Sequence, residues 1–207
     1  MPRVNRQRIV EEALRLFGRN GYAGTSVADV ERAAGLKPGA GGLYAHFESK
    51  QELLVAAIDH AVALARVDSF VEATLPVGDM RSEVTVVVLG SLLLLDSAED
   101  LLRMLFKEGE QFPELFDEAR KRVLIPAYRH LADWLATKAG SAELADHDSE
   151  AVADMLLGAI SNYWCQTRLF DWQPNDVDEQ RFIAAAVDLV LRLAPRQPAG
   201  GARRRRR

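Results

Sequence analysis

The chain has 207 residues, 48% hydrophobic and 27% charged, with a formal net charge of −4. That is the balance of a folded protein rather than a disordered or fibrous one. Its one cysteine, Cys165, excludes an intrachain disulfide framework and fits a reducing compartment. Met1 to Arg19 has no apolar core and is punctuated by Arg3, Arg6, Arg8, Glu11, Glu12 and Arg15, so no secretory segment is expected. The longest apolar stretch, Val84 to Leu95, falls well short of the ~20 residues that span a bilayer. A cytoplasmic protein with no membrane partner is the expectation.

Charge is unevenly spread. Residues 1–66 hold nine cations against seven anions, residues 67–202 hold twelve against twenty-three, and Arg203 to Arg207 add five cations. A polyanion would be held by the first block and repelled by the second, which confines any nucleic-acid contact to the N-terminal third.

Helical spacing recurs from end to end, with no repeat and no alternating strand pattern, so the fold class is all-α. Ile9, Ala13, Leu16 and Phe17 mark a first helix over about 5–19, stopped by Asn20 and Gly21. Val27, Val30 and Ala33/Ala34 mark a short second helix, capped by Thr25 or Ser26, with Asp29 completing a capping box and Gly35 ending it. A third short helix is predicted over 39–47, although Gly39, Gly41 and Gly42 make it a poor helix former. Ser49 and Glu52 open a fourth helix that runs to about Arg66.

Pro76 and Gly78 interrupt the pattern. Val84 to Leu95 reads as a helix capped by Asp79 rather than a strand, because no second strand exists to pair with it. Further helices are predicted over 98–109, 113–139, 149–171 and 177–194, with Pro126 expected to kink the 113–139 helix and Gly140 to stop it. From Pro195 onward the chain is Pro, Gly and Arg. The expected organisation is a DNA-binding unit over 1–66, a helical unit over 67–195 and a disordered Arg-rich tail over 196–207.

Three short helices in this order, the last two joined by a turn at Gly35, have the size of a helix-turn-helix unit, which places its last helix in a major groove. The residues Phe17-x3-Gly21-Tyr22-x2-Thr25-Ser26-Val27-x-Asp29-Val30, then Ala34-Gly35-Leu36, then Leu43-Tyr44-x-His46-Phe47-x-Ser49-Lys50-x-x-Leu53 resemble the DNA-binding domain of TetR-type bacterial transcription regulators. The resemblance covers roughly residues 5–60. It implies a homodimeric regulator, a repressor by expectation, that binds a palindromic double-stranded DNA operator and is released by a small apolar or amphipathic effector bound in its second domain. In one respect the sequence departs from that pattern: the segment Lys37 to Gly42 is longer by about two residues.

The expected DNA contacts follow from side-chain chemistry. Thr25 and Ser26 place hydroxyls and N–H groups at a helix N-terminus that suits a phosphate. Tyr44, His46 and Lys50 are further backbone candidates, with a role in closing the turn before Ser49 weighed equally for His46. Lys37 can reach a guanine edge and Ala40 or Ala45 a thymine methyl, while Gly39, Gly41 and Gly42 admit close backbone approach. Arg3, Arg6 and Arg8 form a candidate minor-groove arm. The effector candidates are the apolar and aromatic residues Met104, Phe106, Trp134, Tyr163 and Trp164 on the middle and late helices. Helices 149–171 and 177–194, through Val152, Met155, Ala159 and Phe182, Ala186, Val190, Leu193, form the candidate dimer interface.

No cofactor is expected. His46, His60, His130 and His147 share no metal-type spacing, so no metal site is assigned. The glycine run lacks the strand before it and the Gly-Lys-Ser/Thr after it that a phosphate loop needs. The alternatives are an all-α protein-interaction module without DNA binding and a small helical enzyme. The latter lacks a Gly-x-Ser-x-Gly elbow, a His-Glu-x-x-His motif and a clustered acid and base.

Overall fold

The computed structural model describes residues 6–64 and 78–195. Its order is α1 (Arg6–Asn20), α2 (Val27–Ala34), a 3₁₀ turn (Leu43–Ala45), α3 (Lys50–Leu64), α4 (Met80–Ser97), α5 (Glu99–Glu108), α6 (Pro113–Ala119), a π turn (Arg120–Leu124), α7 (Ile125–Gly140), α8 (Ser149–Trp164), a second π turn (Cys165–Leu169) and α9 (Glu179–Leu191). Among the described residues no strand occurs and no helix is long and apolar enough to cross a membrane. Arg3, the Pro76 break and the Arg203 to Arg207 tail lie outside the described residues.

Local signals set the helix ends. Ser26 Oγ accepts from Asp29 N–H at 3.2 Å while Asp29 Oδ2 accepts from Ser26 N–H at 3.0 Å, so two otherwise orphaned donors at the start of α2 are satisfied reciprocally. Gly35 then turns left-handed at φ 83°, and Leu36 N–H reaches back to Glu31 C=O at 2.8 Å. Asp79 accepts from Ser82 N–H at 2.9 Å and opens α4 as a helix rather than a strand. Pro126 interrupts the predicted 113–139 helix: without an N–H and with a ring that crowds the preceding turn, it sits just after a widened π turn in which Ile125 N–H bonds Arg120 C=O.

Two apolar cores form. The first gathers Ile9, Ala13 and Phe17 of α1, Val30 and Ala34 of α2, Leu43, Phe47, and Leu53, Leu54, Ala57 and Ile58 of α3. Leu101 and Met104 of α5, with Ala119 and Val123, close that same core, so the head is not sealed by residues 1–66 alone. The second core packs Val84, Val88 and Leu92 of α4 against Leu131 and Leu135 of α7, Leu156 and Ile160 of α8 and Val187 and Val190 of α9.

The dimer-face assignment needs correcting here. Ala186 and Val190 are buried in their own protomer's core, with Val152, Phe182 and Leu193 packed against it. Met155 and Ala159 of α8, both in the expected face, do point outward, joined on α9 by Ala185 and Leu189.

Candidate nucleic-acid interface and effector cavity

Residues 39–47 do not form the expected α-helix. Gly39 and Gly41 adopt φ of 74° and 76°, left-handed angles that leave two successive turns before the single 3₁₀ turn at Leu43–Ala45. The geometry is imposed from α2. Glu31, fully buried, extends its carboxylate under the segment, where Oε2 accepts from Gly39 N–H at 2.7 Å and Oε1 from Leu43 N–H at 3.1 Å. Leu43 and Phe47 anchor the segment in the core. Lys37, Gly39, Ala40, Tyr44 and Ala45 are left exposed, with Gly41, Gly42 and His46 half-buried. Tyr44, 57% exposed, is an outward aromatic with no core role.

Other candidates separate by burial. Ser26 is exposed at the start of α2, and Arg6 is exposed at the start of α1 with its guanidinium 4.6 Å from the centre of the Phe47 ring. Thr25 is corrected: it is fully buried, and its hydroxyl donates to Gly21 C=O at 2.8 Å, so it ties α1 to α2 rather than presenting a hydroxyl to a phosphate. Lys50 is corrected as well. Its ammonium donates to Tyr22 C=O and sits 4.1 Å from the centre of the Tyr22 ring, half-buried. Burial lowers its pKa, against the opposing pull of the Glu108 carboxylate. Asp29, in the capping box, is held at a pKa of about 2 by hydrogen bonds from Ser26 and Arg32.

The head is bolted to α5. Glu108 Oε1 accepts from Tyr22 N–H at 2.7 Å, and Lys107 Nζ donates to Gly18 C=O at 2.9 Å and Arg19 C=O at 2.5 Å. Gly18 permits the approach, since a Cβ there would lie 2.8 Å from the Asp100 carbonyl oxygen.

The other face of α5 borders a cavity of about 120 Å³ enclosed by α4, α5, α7, α8 and the π turn that precedes Pro126. Of the five effector candidates only Trp134 lines it. Met104 is buried in the head core, Phe106 is largely exposed, and Tyr163 is stacked on Phe182 at 4.2 Å between ring centres. Trp164 is buried with its indole N–H donating to Asp96 at 2.7 Å. The rest of the wall includes Leu94, Leu95, Leu101, Leu102 and Leu105. No group of three or more His, Cys, Asp or Glu among the described residues is placed to hold a metal. Cys165 is half-buried, and burial raises its thiol pKa.

A short capped helix, a turn and an outward segment set on a three-helix core, joined to a helical body, define a helix-turn-helix DNA-binding regulator. The family model for bacterial regulatory proteins of the tetR family matches residues 9–57, and the model for the C-terminal domain of AefR-like transcriptional repressors matches residues 89–193. The chain belongs to the tetR family of transcriptional regulators. It is 27% identical over 205 residues to the HTH-type transcriptional regulator AcrR of Shigella flexneri, covering 94% of this chain and 93% of that protein. It is 32% identical over 60 residues to the uncharacterized HTH-type transcriptional regulator YerO of Bacillus subtilis (strain 168). That match covers 29% of this chain and only 20% of YerO.

Among solved structures, a TetR transcriptional regulator from Chloroflexus aurantiacus J-10-FL aligns with a TM-score of 0.69 at 22% identity, covering 90% of this chain and 92% of that one. AibR in complex with isovaleryl coenzyme A and operator DNA aligns with a TM-score of 0.65 at 18% identity, covering 90% and 97%.

Proposed function

We propose that this regulator is a ligand-released repressor. Two copies grip a palindromic operator through residues 37–46 and let go when a small molecule enters the cavity beside α5. The observation that carries the reading is the double attachment of α5. Leu101, Leu102 and Leu105 border the cavity, while Lys107 and Glu108 on the same helix hold the backbone of Gly18, Arg19 and Tyr22 in the head. A ligand that favours a displaced α5 favours a displaced head, and the equilibrium shifts by the difference in its affinity for the two arrangements.

In the DNA-bound form Tyr44 touches a phosphate, Lys37 and Ala40 meet base edges, and the backbone at Gly39 approaches closely, while Ser26, whose hydroxyl and N–H both donate to Asp29, supplies the capped start of α2. Arg6 continues into the N-terminal arm. Met155, Ala159, Ala185 and Leu189 supply the face that a second copy covers. Residues 1–66 serve as the reading unit and 67–195 as the sensing and dimerising unit. The protein acts in the cytoplasm and the reading assigns it no catalytic step. AibR, solved with an acyl-coenzyme A and operator DNA, lends the ligand-and-operator scheme a precedent on this fold.

Selection of bound duplexes from a random pool tests the reading. The expected product is a two-fold symmetric consensus whose half-sites lie one helical turn (~34 Å) or a multiple of it apart, with affinity falling steeply in salt. A lone half-site, or no enrichment, would overturn it.

A further inference from the structure

Building on the release scheme above, we infer that Arg122 and Asp59 are positioning residues for it. Their ion pair carries the state of the cavity to the head along a second path, through the π turn at Arg120–Leu124 and α3, that does not use the Lys107 and Glu108 contacts of α5. Arg122 Nη1 lies 2.9 Å from Asp59 Oδ1, across 63 positions of sequence. The segment that carries Arg122 is built into both halves of the molecule. Ala119 and Val123 belong to the head core and also line the cavity, where Leu124 stands beside them. Arg122 therefore grips α3 from a turn whose next two residues are cavity wall.

The two ends of the pair differ in stiffness. Pro126 has no N–H to give Arg122 C=O, the bond an α-helix would make there, so the rod from α6 to α7 is interrupted where Arg122 leaves it. The Asp59 end sits on α3, an unbroken helix whose Leu53, Leu54, Ala57 and Ile58 share a core with Leu43 and Phe47, the anchors of the reading segment. A push on the wall at Val123 and Leu124 thus meets a joint that yields and a lever that does not. With side chains 42% and 55% exposed, the pair has little to contribute to stability. Its bridging position separates it from the local pairs that Arg120 and Lys121 make with Asp117 on the same segment.

Ser161 lies on α8, a wall helix with no residue in the head core, so Ser161→Leu fills the cavity from outside both paths. Hydrogen exchange of the full chain, followed by mass spectrometry, reads the result at α3 (Val55 to Val62) and at α5 (Leu105 to Gly109). Ser161→Leu is expected to speed exchange at both by about fivefold. Adding Arg122→Ala should remove most of the α3 change and leave that at α5, and Arg122→Glu with Asp59→Arg should bring the α3 change back. On its own, Arg122→Ala should lower the melting temperature by no more than a few degrees. Ser161→Val, a smaller filler, carries the same comparison should the leucine variant not fold.

An α3 change that persists without Arg122, a charge reversal that restores nothing, or no α3 change with either filler would each overturn the inference. Affinity for the selected duplex is measured on the same variants. An Arg122-dependent change at α3 that leaves duplex affinity unmoved would keep the linkage and defeat the release scheme. A filler that weakens duplex binding equally with and without Arg122 would do the reverse.

Discussion

Among the described residues the reading head and the helical body each bury one carboxylate, and they stabilise it by different means. In the head, Glu31 is surrounded by backbone N–H groups and moulds a glycine-bearing segment that has no helix of its own to hold it. In the body, Glu83 faces Lys138 at 2.7 Å, with the two side chains 4% and 12% exposed, and pins α4 to α7. One carboxylate fixes a shape and the other balances a charge. Loss of the first should therefore be felt as lost recognition, and loss of the second as lost stability.

The sharpest way to break that contrast is Lys138→Met. It strands the Glu83 carboxylate in the body core and should cost about 3–5 kcal/mol, read from urea unfolding. The folded fraction should still bind DNA with unchanged affinity. Adding Glu83→Leu should restore most of the loss, since a well-packed apolar pair can replace a buried ion pair. Burial opposes the Lys138 charge, but hydrogen bonds and attraction from Glu83 and Glu143 outweigh it and raise the pKa above 10.5. This contribution is therefore complete at pH values below 10.5 and disappears as pH climbs through the raised folded value.

Next comes Glu31→Ala, which leaves the Gly39 and Leu43 N–H groups without an acceptor. The cost should be about 1–3 kcal/mol for the buried Leu43 donor and less for the Gly39 donor, which lies at the exposed surface. Here DNA affinity should fall at least about tenfold even where circular dichroism reports a folded protein, because the reading segment loses its mould. Glu31→Gln should not rescue it, since one carboxylate oxygen becomes an amide donor aimed at another donor. Unchanged DNA affinity in either variant would remove the distinction between the two carboxylates.

How much of this was legible in the sequence depends on whether the signal is local. Ser26, Asp29 and Gly35 act within one turn of α2, and Pro126 acts on its own backbone, so each could be read directly. Gly39 and Gly41 signalled weak helicity, but not that both would turn left-handed and replace the third helix with turns. No local signal singled out Glu31. Yet Val27, Glu31 and Ala34 fall at i, i+4 and i+7, as do Leu131, Leu135 and Lys138, and that phase marked both charged residues as inward-facing.

The cavity wall had no such signature. It is assembled from leucines of several helices that resemble any other core leucine, and of the apolar and aromatic candidates only Trp134 lies on it. Thr25 and Lys50 were misread for a related reason. Their chemistry suits phosphates, but Gly21 C=O and Tyr22 C=O reach them first.

Between head and body lies the α5 joint, where the contrast becomes a coupling. Glu108→Ala removes the acceptor for Tyr22 N–H and should cost about 1 kcal/mol of stability. Its larger consequence is functional. The fold-change that a bound effector makes in DNA affinity should shrink severalfold, while effector binding itself, measured without DNA, should stay as it was. An effector response that survives intact would mean that α5 does not carry the linkage.

The smallest effect is expected at Asp29, whose role lies wholly at the exposed start of α2. Its pKa falls from 3.8 to about 2 because Ser26 and Arg32 hydrogen-bond its charged form. A folded value below the unfolded one means that the stabilisation is present above pH 3.8 and is lost as pH falls toward 2. The stability gap between the parent and Asp29→Asn should therefore hold steady from pH 7 to 5 and narrow below pH 4. Over that same interval a nuclear magnetic resonance titration of the Asp29 carboxyl should still find it ionised. A gap that instead closed near pH 6 would place the titrating group elsewhere, since neither the folded nor the unfolded value for Asp29 comes close to that pH.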